Sequence, residues 1–277
     1  MTTSDLPGRP TPVPDDRTLL MSIDNRGVAT VTLNRPEVLN AFDEALIGSI
    51  ESAFELLSAR ADVRVVVLRS TGRVFCAGAD IGWMRRAAAN EFESNLEDAR
   101  KFAAMMAAID RCPKPVVACV QGAAYGGGVG LVCSADVVVA AQRARFSVSE
   151  AKFGILPAVI GPYLVNAVGV RQARRLALTC AVVGAMEALA IGLVHELVDD
   201  AELDEATERH VRRLLSAAPA AQSEIKRLFA CLSVGPIDPD IRDLTARTIA
   251  RVRACEEARL GFQAFDTGTS PPWAIDP

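Results

Sequence analysis

The sequence predicts an α/β protein whose layered core is followed by a helical C-terminal part. Three observations carry this reading. Short β-branched runs recur between Gly27 and Glu150, helical apolar stripes lie between them, and after about Gly169 only helical patterns remain. A chain of 277 residues, half of them apolar, is long enough to bury a sizeable core.

Taken in order, residues 1–17 are rich in Pro and Asp and read as a loose tail with no secretory signal. GVATVTLN (Gly27–Asn34) alternates apolar and small polar residues, as a strand does. FDEALIGSIESAFELLSAR (Phe42–Arg60) sets Leu46, Ile47, Ile50, Phe54 and Leu57 on one helix face. VRVVVLRS (Val63–Ser70), PVVACVQG (Pro115–Gly122) and DVVVAA (Asp136–Ala141) are almost continuously apolar, which suits strands buried on both faces. Between the first two of these, Glu91–Cys112 is a helix with Leu96, Phe102, Met105, Met106 and Ile109 inward, and the methionines read as core filling. ARFSVSE (Ala144–Glu150) adds a short strand. RQARRLALTC, GAMEALAIGL, ELDEATERHVRRLLSA, AAQSEIKRLFACL and IRDLTARTIARVRACEEARLGFQAF then follow as helices.

Charge and composition narrow the function. A net charge of −4 with few aromatics and no Lys/Arg-rich stripe speaks against nucleic acid. The seven scattered cysteines contain no C-x-x-C pair, which points to reduced thiols in a cytoplasm and away from a zinc site. Pro115–Ala135 is uncharged and long enough to span a membrane, yet it holds five glycines and is better read as strand, turn and helix.

The stretch AAYGGGVGLVCSA, after a buried strand, places Gly126, Gly127, Gly128 and Gly130 at a helix start. Unpaired N–H groups there favour negative charge. Neither G-x-x-x-x-G-K-[ST] nor G-x-G-x-x-G is present, which disfavours a nucleotide phosphate. Taken alone, the run fits close strand-to-helix packing as well as an oxyanion site. A second glycine turn, RVFCAGADIGWM (Arg73–Met84), also follows a buried strand and precedes a helix, so two N–H-bearing turns can converge on one oxygen. Glu150, with apolar Phe146, Val148, Phe153, Ile155 and Leu156 around it in sequence, is the candidate acid–base group; support of a helix start beside Ser149 is the other reading. Asp80 reads as a helix cap and Asp136 as fixing a strand start. His195 and His210 lie far in sequence from the glycine turns.

LNRPEVLNAF, FCAGADI, PKPVVACVQGAAYGGGVGL, SADVVVAAQRARFSVSEAKFGILP and ALAIGLVHELVDD together resemble the enoyl-CoA hydratase/isomerase (crotonase) family from about Leu19 to Trp273. The resemblance implies a spiral of ββα repeats over residues 18–200 carrying the coenzyme A and active sites. It implies a helical region over 201–277 that assembles trimers, or dimers of trimers. Coenzyme A enters as part of an acyl-CoA substrate, with no separate cofactor and no metal. The backbone N–H groups of Ala79 and Gly127 would bind the thioester oxygen and Glu150 would move protons. Arg35, Ala77, Asp80, Ile81, Gly128 and Gly130 would border the substrate, Arg35 and the Ala77–Ile81 turn near the 3′-phosphoadenosine.

The pattern departs from typical hydratases at Gly130, where they carry a first glutamate. Isomerases of the family share that loss and work with one carboxylate. The flanking motifs also resemble bacterial methylglutaconyl-CoA and isohexenylglutaconyl-CoA hydratases, whose acyl groups bear a carboxylate. On that reading Gly130 frees volume and removes a repelling charge, and Arg85 and Arg86 meet the substrate carboxylate. The expected reaction is hydration of a 2,3-enoyl-CoA, with 3-enoyl isomerisation as the alternative. From another class, the alternative is a non-catalytic acyl-CoA- or RNA-binding protein on the same fold.

Overall fold

The computed structural model describes residues 17–232 and 234–274. The expected N-terminal tail falls almost wholly outside them.

In chain order the elements are β1 (Leu19–Ile23), β2 (Val28–Leu33), α1 (Glu44–Ala59), β3 (Val65–Ser70), α2 (Ile81–Ala88), α3 (Phe92–Asp110), β4 (Val116–Val120), β5 (Ala123–Tyr125), α4 (Gly127–Cys133), β6 (Val137–Ala141), β7 (Arg145–Ser147), α5 (Gly161–Thr179), β8 (Val183–Gly184), α6 (Ala185–Ala190), β9 (Glu196–Val198), α7 (Leu203–Ser216), α8 (Pro219–Ala230), α9 (Pro239–Arg253) and α10 (Glu256–Thr267). One sheet runs β1-β2-β3-β4-β6-β9, parallel except for the β1–β2 pair. A second, smaller sheet runs β5-β7-β8. This is an α/β architecture followed by a helical C-terminal region, as the sequence predicts.

Alternation along the central strands divides the core in two. Val66, Leu68, Val116, Ala118 and Val120 face α1 and α3, where Leu46, Ile50, Phe54, Leu57, Met105, Met106 and Ile109 are buried. Val65, Val67, Val117, Cys119 and Val139 form the other face, covered by Leu203, Ala206, Val211 and Leu215 of α7. The helix that covers this face, α7, thus lies just beyond residue 200 and packs on the sheet through its apolar stripe. The final helical pattern is two helices, broken at Ala254–Cys255.

Pro115–Ala135 divides into β4, β5 and α4, and no helix among the described residues is long and apolar enough to cross a membrane. His195 accepts the Val138 N–H at Nδ1 (2.9 Å), and His210 sits 2.7 Å from Glu196; both serve the β9 edge, away from the glycine turns.

The loop between β2 and α1 is built on Asn40. It is fully buried in the left-handed region (φ 55°), accepts the Arg35 N–H at 2.8 Å and donates to the carbonyls of Thr71 and Val74, both at 2.8 Å. Asparagine tolerates that conformation and alanine does not replace its bonds. Asn40→Ala is expected to cost about 3 kcal/mol, read as a lowered urea midpoint with an unchanged m-value.

Candidate active site

β3 and β4 are adjacent parallel strands, so the turns that follow them lie side by side. A short ladder zips these turns together. Cys76 N–H donates to the Ala123 carbonyl (3.1 Å) and Tyr125 N–H to the Cys76 carbonyl (2.9 Å). Gly78, at φ +92°, lies so close that a Cβ there would sit 2.8 Å from the Tyr125 carbonyl oxygen. Gly128 makes the same kind of approach to the Cys76 carbonyl, where a Cβ would stand 2.5 Å away. Any side chain at either position would force the two turns apart.

The Ala79 N–H comes from the first turn. Phe42 N–H donates to the Gly78 carbonyl and Asp80 N–H to the Phe42 carbonyl, both at 2.7 Å. Ala79 lies between these bonds, and its own N–H has no partner among the described residues. The Gly127 N–H comes from the second turn. Gly126 takes a left-handed conformation (φ +49°) and leads into α4, so Gly127 is the first helical residue and its N–H is also unpaired among the described residues. Both groups border one cavity of about 1160 Å³.

Glu150 reaches the same cavity from the 3₁₀ turn Glu150–Phe153. Its carboxylate lies over Gly126, where a Cβ would stand 3.2 Å from Oε1. Oε2 is buried with no hydrogen-bond partner among the described residues. Burial pushes the carboxyl above its ordinary range, against smaller opposing effects of the Glu150 and Ser149 backbone N–H groups. A half-buried acid with an unpaired oxygen beside an unpaired N–H is equipped to exchange protons with a bound reactant. The shielding differs from the sequence expectation. Phe146 and Val148 are buried, whereas Phe153, Ile155 and Leu156 are exposed and line the mouth of the cavity.

The rest of the lining is mainly apolar. Phe42, Phe102 and Trp83 form an aromatic wall, with ring centroids 5.7 Å apart for Phe42–Phe102 and 6.5 Å for Trp83–Phe102, the latter edge-on. Sequence reasoning placed Phe102 in the core and gave Trp83 no role. The available signal was helical spacing: Trp83 and Ala87 lie one turn apart directly after the glycine turn and share a face. Among the described residues, no three His, Cys, Asp or Glu side chains stand close enough to hold a metal ion.

The other candidates divide. Ala77, Asp80 and Ile81 border the cavity. Asp80 also caps α2, its Oδ1 accepting the N–H groups of Gly82 (2.8 Å) and Trp83 (3.1 Å). Gly128 does not line the cavity; it is buried against Cys76. Arg35 lies outside the lining, on Asp43. Arg85 and Arg86 are also outside it, and Arg86 pairs with Glu44 at 2.8 Å, so the expected meeting of these arginines with a substrate carboxylate is not supported by their placement. Asp136 accepts the Val116 N–H at 2.7 Å and pairs with Lys226, so it fastens the start of β4.

Gly130 needs a correction. It opens no volume, because Ile160 and Met106 already fill the space: a Cβ at Gly130 would stand 2.5 Å from Ile160 Cγ2 and 3.0 Å from Met106 Cε. Gly130→Glu is therefore expected to destabilise the fold by about 1–3 kcal/mol through overpacking. Ile160→Ala added to it should recover part of that loss, as thermal unfolding of the single and double variants would show.

Residues 24–275 match the enoyl-CoA hydratase/isomerase family. A solved enoyl-CoA hydratase from Shewanella pealeana superposes with a TM-score of 0.89 at 40% identity, over 92% of this chain and 96% of that one. A short-chain-enoyl-CoA hydratase of Clostridium acetobutylicum is 34% identical over 70% of this chain and 74% of its own. A trans-2-decenoyl-[acyl-carrier-protein] isomerase of Streptococcus mutans is 32% identical over 77% and 82%. The family match over residues 24–275 and these relatives show that this chain belongs to the enoyl-CoA hydratase/isomerase family and is an enzyme of it.

Proposed function

We propose that this enzyme adds water across the 2,3 double bond of an enoyl-CoA thioester. The observation that carries the reading is the placement of the Glu150 carboxyl over Gly126, next to the unpaired Gly127 N–H and on the cavity that Ala79 also borders. The two N–H groups donate to the thioester oxygen and draw electron density toward it, so that Cβ becomes electrophilic. Glu150 takes a proton from water as the water oxygen bonds to Cβ. The resulting enolate then receives that proton at Cα, and Glu150 returns to the carboxylate. Coenzyme A enters as part of the substrate.

A neutral acyl group suits the lining better than the carboxylated one expected from the flanking motifs. Its cation is Lys152, on an exposed turn, and the wall beside the oxyanion turn is Phe42, Trp83 and Phe102. One observation favours isomerisation as a second reading: Ile160 and Met106 occupy the place where a second glutamate would hold water, and moving one proton between carbons needs a single acid. The isomerase relative from Streptococcus mutans supports the same reading. Self-association into trimers or hexamers is supported by Phe229, Phe262 and Phe265, exposed on α8 and α10. The free cysteines support a reducing, cytoplasmic setting.

Glu150→Gln tests the reading. Loss of enoyl absorbance from crotonyl-CoA is expected to slow by about 10²–10⁴-fold, and 3-methylglutaconyl-CoA is expected to be the poorer substrate of the wild type. Because water attack needs the carboxylate, the wild-type rate should fall with acid through a midpoint above the ordinary glutamate value of 4.5. The raised folded-state value also means that ionising Glu150 weakens the fold as pH rises. The same variant should therefore melt higher than wild type at pH 7. No hydration of either thioester, with conversion of a 3-enoyl-CoA instead, would move the assignment to isomerase.

A further inference from the structure

Arg35 lies at the head of the β2–α1 loop, with its side chain only 14% exposed. Its Nη2 is 2.8 Å from Asp43 Oδ2 and 3.9 Å from Asp80 Oδ2, and its Nη1 donates to the Ala41 carbonyl at 2.7 Å. The two aspartates are helix caps: Asp43 accepts the Leu46 N–H at the start of α1, and Asp80 accepts those of Gly82 and Trp83 at the start of α2. The two helices are unequally held. α1 buries Leu46, Ile47, Ile50, Ala53, Phe54 and Leu57, whereas α2 buries no residue. Core packing therefore fixes α1, whereas α2 is held more lightly, by the partly buried Trp83 against Phe102, by the Arg86–Glu44 pair and by the contacts of its cap.

The segment that joins them carries the oxyanion turn. Phe42 follows Ala41 and precedes Asp43, and it forms the two 2.7 Å bonds that bracket Ala79. Successive N–H groups of an extended segment point to opposite sides, so these bonds turn the Ala79 N–H away from Phe42. Arg35 grips this bracket from both flanks, through Ala41 and Asp43 on one side and Asp80 on the other.

We infer that Arg35 is a positioning residue: by tying the α2 cap to the α1 cap, it fixes the direction of the Ala79 N–H at the thioester oxygen. This rests on the acyl-CoA reading above. It replaces the expectation that Arg35 meets a phosphate of coenzyme A. A guanidinium set between two carboxylates has its charge met, and the pair of anions repels a phosphate. A lysine cannot serve all three acceptors, because it lacks the planar fork.

The test compares Arg35→Met, Arg35→Lys and Asp80→Asn on two substrates, crotonyl-CoA and crotonyl-pantetheine, which lacks the nucleotide. Asparagine keeps the cap and removes the charge. Arg35→Met is expected to lower kcat by about 10- to 100-fold on both thioesters, with KM changed by less than about threefold, and Arg35→Lys should recover only part of that. The double variant with Asp80→Asn should lose little beyond Arg35→Met alone. The red shift in absorbance of a bound dienoyl-CoA, which reports polarisation of the thioester carbonyl, should shrink in Arg35→Met. A loss confined to the CoA ester and to KM would overturn the inference in favour of a phosphate contact. A lowered Tm with unchanged kcat and unchanged red shift would overturn it in favour of a purely structural ion pair. If Arg35→Met does not fold, Arg35→Lys and Asp80→Asn carry the same comparison. Because the red shift needs binding alone, failure of hydration in the wild type would reject the proposed reaction and leave the Arg35 measurement decisive.

Discussion

Two backbone turns meet without side chains between them, and the active site follows from that contact. The bridge between Cys76 and Ala124, with Gly78 against Tyr125 and Gly128 against the Cys76 carbonyl, brings the ends of two parallel strands into direct contact. Each turn brings an unpaired N–H to the cavity, at Ala79 and at Gly127. Unpaired backbone donors are costly when nothing binds them. Here the flanks hold them in place, and on the proposed reading a thioester oxygen recovers that cost most fully when it becomes an oxyanion.

The acid that completes the site is subject to the opposite tension. Glu150 is less stable ionised where it sits than it would be in water, and that makes it a stronger base than an ordinary glutamate. Its surroundings change character over a short distance. Gly126 gives the carboxylate room, whereas Ile160, Met106, Phe42 and Phe102 form a dry wall around the first turn of α4. A glutamate at position 130 would have to displace Ile160. The single-carboxylate site is therefore built into the packing of α4 against the segment before α5.

Much of this was legible in the sequence because it depends on local pattern. The runs at 63–70, 115–122 and 136–141 are β3, β4 and β6, since only strands covered on both sides carry so continuous an apolar pattern. The role of Gly130 was misread because an empty position in sequence is not empty in space, and Ile160 lies thirty residues further along. The arginines at 35 and 86 were assigned to ligands because their partners, Asp43, Asp80 and Glu44, are brought to them by tertiary placement of the α1 and α2 starts. Trp83 went unnoticed because its importance comes from its contact with Phe102, on another helix.

The central claim is that the Ala79 and Gly127 N–H groups jointly hold the thioester oxygen. The most direct measurement is a crystal structure of the enzyme with a non-reacting acyl-CoA such as butyryl-CoA. The account predicts the thioester oxygen at about 2.7–3.1 Å from both nitrogens, with Glu150 facing Cα and Cβ of the acyl group. A thioester oxygen bound elsewhere in the cavity, or held by only one of the two nitrogens, would contradict it.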